Sequence, residues 1–358
     1  MIKTMRLALS EPISMLVIGP NHDRLAAASN TEVAERVLGV WQIPSVDNKQ
    51  QRSSADVVEL PFQAWLAPSD EVNALALSPR LGACLASACG GEPPEDGAVS
   101  LWALDDSSLS STPRARQAGR ITAMAWAPLG QLFVTGAESG AVRLWPDAAD
   151  DPEQPAAQTA GGHDGAVRAV AFSGAGARLA SCGDDGAVLI WARGDGGWRS
   201  TARLDGHGGP VLCVAWRSDG RAVATGSRDC RVGLWAVPAG GGGGPGGGGG
   251  GGGWASREAA PPSASEALAA GLMAGHVDAV RVVAWGPHGD CVASGGDDRR
   301  VWLWSARAGR AVAGPLCLDV WQISVAMPVS SPRRVAPSYV RCLEGRCLAQ
   351  SLWQALTV

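Results

Sequence analysis

No stretch of the chain reaches the roughly 18 consecutive apolar residues that a membrane-spanning helix needs. Residues 1–10 are too short and too mixed for the apolar core of a secretory leader. Both absences lead to the expectation of a cytoplasmic or nuclear protein. No CxxC pair occurs among the nine cysteines, Cys84, Cys89, Cys182, Cys213, Cys230, Cys291, Cys317, Cys342 and Cys347, and no histidine stands at zinc-finger spacing. Reduced thiols are therefore expected, with no metal and no cofactor. An excess of one charge is missing too. With 30 Lys+Arg against 34 Asp+Glu and a net charge of -4, the chain has no global field that would draw it to nucleic acid or anionic lipid. Tyrosine and phenylalanine are scarce, 1 and 3, against 15 tryptophans. A residue so far out of proportion points to a repeated structural position.

The 358 residues, 46% hydrophobic and 18% charged, suit a folded chain with an ample core, and repeat architectures reach this length as one unit. Three segments align without gaps: 162–191 (GHDGAVRAVAFSGAGARLASCGDDGAVLIW), 206–235 (GHGGPVLCVAWRSDGRAVATGSRDCRVGLW) and 275–304 (GHVDAVRVVAWGPHGDCVASGGDDRRVWLW). Segments 70–102 and 119–145 are weaker copies without the Gly-His pair, and another runs from 13 to 41 with an insertion before its tryptophan. The units open on β-rich apolar positions, Ile13/Leu16/Ile18, Val72/Leu75/Leu77, Ile121/Met124/Trp126, Val167/Val170/Phe172, Val211/Val214/Trp216 and Val280/Val283/Trp285. Short apolar runs bounded by Ser-Pro, Ser-Asp-Gly and Pro-His-Gly turns predict hairpins and are too short for helices. After Trp304 the pattern continues through Val320/Ile323/Val325, 339–343 and 347–353 as a degenerate seventh unit. Residues 2–9 are expected to supply its outer strand, which would close a ring and remove open sheet edges.

On these repeats the chain resembles the WD-repeat β-propellers over nearly its whole length, although its units end in Trp-Pro, Trp-Ala or Trp-Ser instead of Trp-Asp. The resemblance implies an all-β fold: a single seven-bladed propeller over 1–358, with six clear blades and a degenerate last one. An inserted low-complexity linker is expected over 238–273 and a polar loop over 44–56, followed by an outer strand within 57–66 that carries Phe62 and Trp65. The glycine tract 240–253 has no following Lys-Ser/Thr and no strand-to-helix setting, so it reads as linker and not as a phosphate loop.

Asp96, Asp185, Asp229 and Asp298 precede the repeat-ending tryptophans at one spacing, where a carboxylate can accept turn N–H groups. The resemblance further implies buried hydrogen-bonded sets of His163/Ser181/Asp185/Trp191, His207/Thr225/Asp229/Trp235 and His276/Ser294/Asp298/Trp304. A His, a Ser and an Asp also compose a catalytic triad. The same set three times reads as architecture, so no catalytic residue is expected.

By the same resemblance, partners would bind where the innermost strands begin and beside the turn acids: Glu71, Asn73, Arg120, Thr122, Arg168, Asp184, Leu212, Arg228, Arg281 and Asp297. Arg120, Arg168 and Arg281 fall at equivalent or near-equivalent positions. They would either line a channel mouth suited to carboxylate or phosphate, or stand paired with Asp184 and Asp297 as solvated charge. The leading expectation is a scaffold or adaptor, monomeric within a hetero-complex and binding other proteins or peptides. The alternatives are a propeller that reads phosphate, phosphopeptide or nucleic acid through its arginines, and an enzyme with a channel active site.

Overall fold

The computed structural model describes residues 4–6, 15–18, 24–29, 37–42, 57–59, 62–66, 71–79, 84–90, 97–104, 109–117, 119–146, 158–194, 197–237 and 271–317. All regular structure among them is β. After β1 (Thr4–Arg6), blade 1 consists of β2 (Met15–Ile18), β3 (Arg24–Ser29) and β4 (Val37–Gln42), and, after a short β5 (Val57–Glu59), of β6 (Phe62–Leu66). Blade 2 is β7 (Glu71–Leu77), β8 (Cys84–Gly90), β9 (Gly97–Leu104) and β10 (Leu109–Gln117). Blade 3 is β11 (Ile121–Trp126), β12 (Leu132–Ala137), β13 (Ala141–Pro146) and β14 (Gln158–Gly162). Blade 4 is β15 (Val167–Phe172), β16 (Arg178–Gly183), β17 (Val188–Gly194) and β18 (Gly197–Leu204). Blade 5 is β19 (Val211–Trp216), β20 (Ala222–Ser227), β21 (Arg231–Ala236) and β22 (Gly271–Ala274), and blade 6 is β23 (Val280–Trp285), β24 (Cys291–Gly296), β25 (Arg300–Ser305) and β26 (Arg310–Cys317). Each blade is a four-stranded antiparallel meander, and the inner strands of successive blades lie side by side.

The core sits between blades. Ala180, Cys182, Val188 and Ile190 of blade 4 face Val211, Trp216 and Val223 of blade 5. Ala222, Ala224, Val232 and Leu234 on the far side of blade 5 face Val280, Val283 and Trp285 of blade 6 in the same way. Burying one such side chain stabilises by about 1.5–3 kcal/mol. A net hydrogen bond is worth only about 0.5–1.5 kcal/mol, so the apolar faces carry most of the cohesion between sheets. A second class of tryptophan adds direction to it. Trp126, Trp216 and Trp285 end their inner strands and donate their indole N–H to the carbonyls of Ala76, Ala171 and Ala215 in the preceding blade, at 3.2, 2.9 and 3.1 Å. Phe172 holds this position in blade 4 and packs edge-on against Trp198 instead, 5.8 Å between centroids.

In five blades the pairing of the two innermost strands slips by one residue near the start of the inner strand, between Val72/Ala74, Ile121/Ala123, Val167/Ala169, Val211/Cys213 and Val280/Val282. The skipped residues are Asn73, Thr122, Arg168, Leu212 and Arg281. A bulge re-aims its extra side chain away from the ladder, which makes these residues an equivalent set around one rim.

Two boundaries differ from the sequence reading. β1 pairs in parallel with β5, Thr4 opposite Val57, and three residues of mixed chemistry carried no signal for that partner. β22 pairs with β21 and takes up residues 271–273, the end of the expected linker, because Leu272 and Met273 supply apolar side chains that the outer edge of blade 5 can use. β6 is the outer strand expected within 57–66. The seventh unit, the loop 44–56 and residues 238–270 lie outside the described residues.

Candidate functional site

Each of blades 4, 5 and 6 contains one chain of polar side chains running from its turn to its third strand. His163 lies between β14 and β15. Its Nδ1 is 3.0 Å from the Asp185 carboxylate, and its Nε2 is 2.8 Å from Ser181 Oγ. Trp191 Nε1 donates to that hydroxyl at 2.9 Å. In blade 5, His207 stands 2.9 Å from Asp229 and 2.8 Å from Thr225, with Trp235 donating to Thr225 at 2.8 Å. In blade 6, His276 stands 2.8 Å from both Asp298 and Ser294, with Trp304 donating to Ser294 at 2.7 Å.

The chemistry of the groups sets the direction of each chain. An indole can only donate, so the hydroxyl accepts from tryptophan and turns its own proton to Nε2. The imidazole then carries its proton on Nδ1 and donates it to the carboxylate. The second task of each aspartate is to hold backbone: Asp229 accepts the N–H of Gly208 and of Arg231, each at 2.9 Å, and Asp298 accepts those of Val277 and Arg300 at 3.2 and 3.1 Å. The carboxylate thus ties the turn after the second strand to the loop that enters the blade, and fixes the rim.

This is the connectivity of an acyl-transfer triad, but its setting differs. The histidine side chains are 0% exposed. Ser181, Thr225 and Ser294 are buried, and every hydroxyl is engaged on both sides. A nucleophile needs an approach for substrate, and none of these three has one. In blade 3 the Trp145–Thr135 bond is kept, at 2.8 Å, and Ser139 stands where the other blades have the aspartate. Asp96 lies outside the described residues.

Burial holds the His207 and His276 imidazoles below their ordinary value of 6.5, with the bonds to Asp229 and Asp298 opposing it only in part. For Asp185 and Asp229 burial acts upward, and the histidine bonds and turn N–H groups outweigh it, so both carboxyls lie below their ordinary 3.8. Below pH 6.5 the unfolded chain therefore binds protons that the folded chain resists. Stability is full above that pH and falls as the pH is lowered through it, with the aspartates adding a further loss in strong acid. The urea midpoint at pH 5.5 is expected to lie below that at pH 7.5; an unchanged or higher midpoint would contradict a neutral-histidine network.

The turn after the second strand places one residue in left-handed backbone: Gly140 (φ 81), Gly186 (φ 73), Cys230 (φ 65) and Arg299 (φ 59). Side chains resist this region by about 1–2 kcal/mol, while glycine gives back roughly half of that through its freer unfolded state. Cys230→Gly is expected to stabilise by up to about 1 kcal/mol in chemical denaturation. Cys182, Cys213, Cys230 and Cys291 are free, and burial pushes the Cys213 thiol up to about 12, far from thiolate chemistry.

At the rim, Arg168 grips Asp184 with two N–H bonds, at 2.7 and 2.5 Å. Arg281 grips Asp297 likewise, at 3.0 and 2.7 Å. Both forks join the bulge residue of a blade to the turn residue of the same blade, with the arginines 41% and 40% exposed. Arg120 precedes its bulge by two positions and bonds Asn73 of blade 2. Thr122 turns inward, its hydroxyl donating to the Gly136 carbonyl at 3.1 Å or to that of Val167, because a short hydroxyl reaches backbone where an arginine reaches outward. Glu71 opens β7, Leu212 is half-buried, and Arg228 is exposed. Arg120, Arg168 and Arg281 are thus committed to neighbours and do not form an open cationic ring. Among the described residues there is no group of three or more His, Cys, Asp or Glu that could hold a metal ion, and no helix long and apolar enough to cross a membrane.

Repeated four-stranded blades with internal His–Ser/Thr–Asp–Trp chains define a β-propeller built from sequence repeats. The family model for the WD domain, G-beta repeat, matches residues 108–146, 156–192, 198–236 and 270–305, and these four stretches of the chain are WD repeats. It is 26% identical to the Ribosome biogenesis protein WDR12 homolog of Chlamydomonas reinhardtii over 76% of this chain and 71% of that one. It is 27% identical to the Chromatin assembly factor 1 subunit FAS2 homolog of Oryza sativa subsp. japonica, over 50% of this chain and 32% of that one. It is 28% identical to the Probable cytosolic iron-sulfur protein assembly protein CIAO1 homolog of Caenorhabditis elegans, over 32% of this chain and 36% of that one. The chain thus spans most of the first relative and about a third of each of the other two.

Proposed function

We propose that the chain is a non-enzymatic scaffold, a seven-bladed propeller over 1–358 whose rim binds other proteins within a larger assembly. The observation that carries this reading is the commitment of the repeated polar side chains to each other. The histidines, hydroxyls and carboxylates of chemically capable type are spent inside the blades on fixing the rim. What they leave at the rim is a border on which Arg168, Arg228 and Arg281 are exposed and Asn73, Arg120, Asp184, Leu212 and Asp297 are half-buried. The names of the relatives, which speak of biogenesis and assembly, support the same reading and a nuclear or cytoplasmic place. On this proposal the residues after 317 supply the seventh blade and the N-terminal segment closes it, since a ring leaves no sheet face bare. An arginine-lined mouth for phosphate, phosphopeptide or nucleic acid draws less support, because Arg168 and Arg281 already hold carboxylates.

Affinity purification of the tagged chain from its native cells, beside a folded Arg120/Arg168/Arg281→Glu variant, tests the proposal. Partners retained by the wild-type chain and lost by the variant are expected. No partner from either form would overturn it.

A further inference from the structure

Blades 4 and 6 share a rim arrangement that blade 5, between them, lacks at both of its positions. In blades 4 and 6 the bulge residue is an arginine, the turn residue is an aspartate, and the two close a fork. In blade 5 the bulge residue is Leu212 and the turn residue is Arg228. The backbone at this place is unchanged. The Arg228 N–H donates to the Pro210 carbonyl at 2.9 Å, as the Asp184 and Asp297 N–H groups donate to Ala166 and Ala279 at the same distance. A guanidinium therefore starts from the position that a fork carboxylate occupies in the flanking blades. It is exposed and makes no ion pair among the described residues. The nearest turn acid cannot serve it, since Asp229 is taken up by His207 and by the N–H groups of Gly208 and Arg231.

Apolar surface lies beside this cation. Leu212 is half-buried at the bulge. The turns of blades 3 and 4 rest against the loop that enters the next blade, Gly140 near the His163 and Gly165 carbonyls and Gly186 near those of Gly209 and His207. In blade 5 the turn residue Cys230 lies within electrostatic reach of Asp278 in the loop that enters blade 6, and Val277, the residue before Asp278, is 70% exposed.

We infer that blade 5 presents half of an arginine–carboxylate fork, and that an extended partner segment completes it with an aspartate or glutamate while its apolar neighbours rest on Leu212 and Val277. The inference deepens the scaffold reading and rests on it. Carboxylate is favoured because the forks on either side are sized for it, and because a planar guanidinium binds a carboxylate through two parallel bonds. An exposed ion pair alone is weak, so the apolar contacts are part of the requirement.

The test uses the full chain and three sets of short synthetic peptides with apolar residues flanking a central Asp/Glu, a central Asn/Gln or a central phosphoserine. The acidic set is expected to bind the wild-type chain about fivefold more tightly than the amide set, the advantage an exposed ion pair supplies. The preference is expected to vanish in Arg228→Gln, a change at an exposed position, and in Leu212→Arg/Arg228→Asp, which gives blade 5 its own fork and should unfold no earlier than wild type. A preference that persists in both variants, a preference for phosphoserine, or no preference at all would overturn the inference. If it fails while purified partners remain bound, the scaffold reading stands. If no partners are found at all, it is that reading which fails.

Discussion

Trp191→Ala is expected to lower the unfolding free energy by about 3–5 kcal/mol, the range for deleting a large buried aromatic. Trp191 is 1% exposed and packs with Val142, Leu144, Leu179 and Leu189 across the junction of blades 3 and 4. Its removal opens a cavity there and also takes away the N–H that orients Ser181. Trp191→Phe separates the two effects. Most of the packing stays and the donor goes, so a loss of about 1–2 kcal/mol is expected, close to that of one buried hydrogen bond. Urea titrations of the three proteins measure both. If the alanine variant lost less than the phenylalanine variant, Trp191 would not be a core residue.

The second large effect is expected at a glycine. A Cβ on Gly140 would lie 2.2 Å from the His163 carbonyl oxygen and 3.0 Å from that of Gly165, in a backbone with φ 81. The obstacle is the main chain of the next blade, which cannot rotate away as a side chain can. Gly140→Ala is expected to cost about 3 kcal/mol, from left-handed strain and overpacking together. Gly186 holds the same turn position in blade 4, yet its nearest obstacle is 3.3 Å away. Gly186→Ala is therefore expected to cost only the strain, about 1–2 kcal/mol, and a similar loss at both glycines would refute the close approach of blades 3 and 4.

The sequence alone was enough to line up the blades, because hairpin lengths fix the spacing of His163, Ser181, Asp185 and Trp191 and repeat it in two further units. It was not enough to identify the inner-strand tryptophans as links between blades. Trp126, Trp216 and Trp285 bond carbonyls 50, 45 and 70 residues earlier, and a backbone acceptor leaves no mark on its residue type. The pairing of Arg168 with Asp184 and Arg281 with Asp297 was one of two readings of the rim charges. Choosing between them needed the bulges, which aim both arginines at their turns. Thr122 shows the limit of placing contact residues by alignment, since it shares a bulge position with Arg168 but its hydroxyl folds back on the main chain. The inverted charge of blade 5 was legible in principle: aligning the units puts Leu212 under Arg168 and Arg228 under Asp184.

That the rim is the working face is tested most directly by amide hydrogen exchange of the chain, alone and bound to a purified partner. Slowed exchange is expected in the entering loops and second-strand turns at 164–168, 184–187, 207–212, 228–231 and 277–281. Protection confined instead to the opposite turns, 173–178, 217–221 and 286–291, would place the partner on the other face and contradict the assignment.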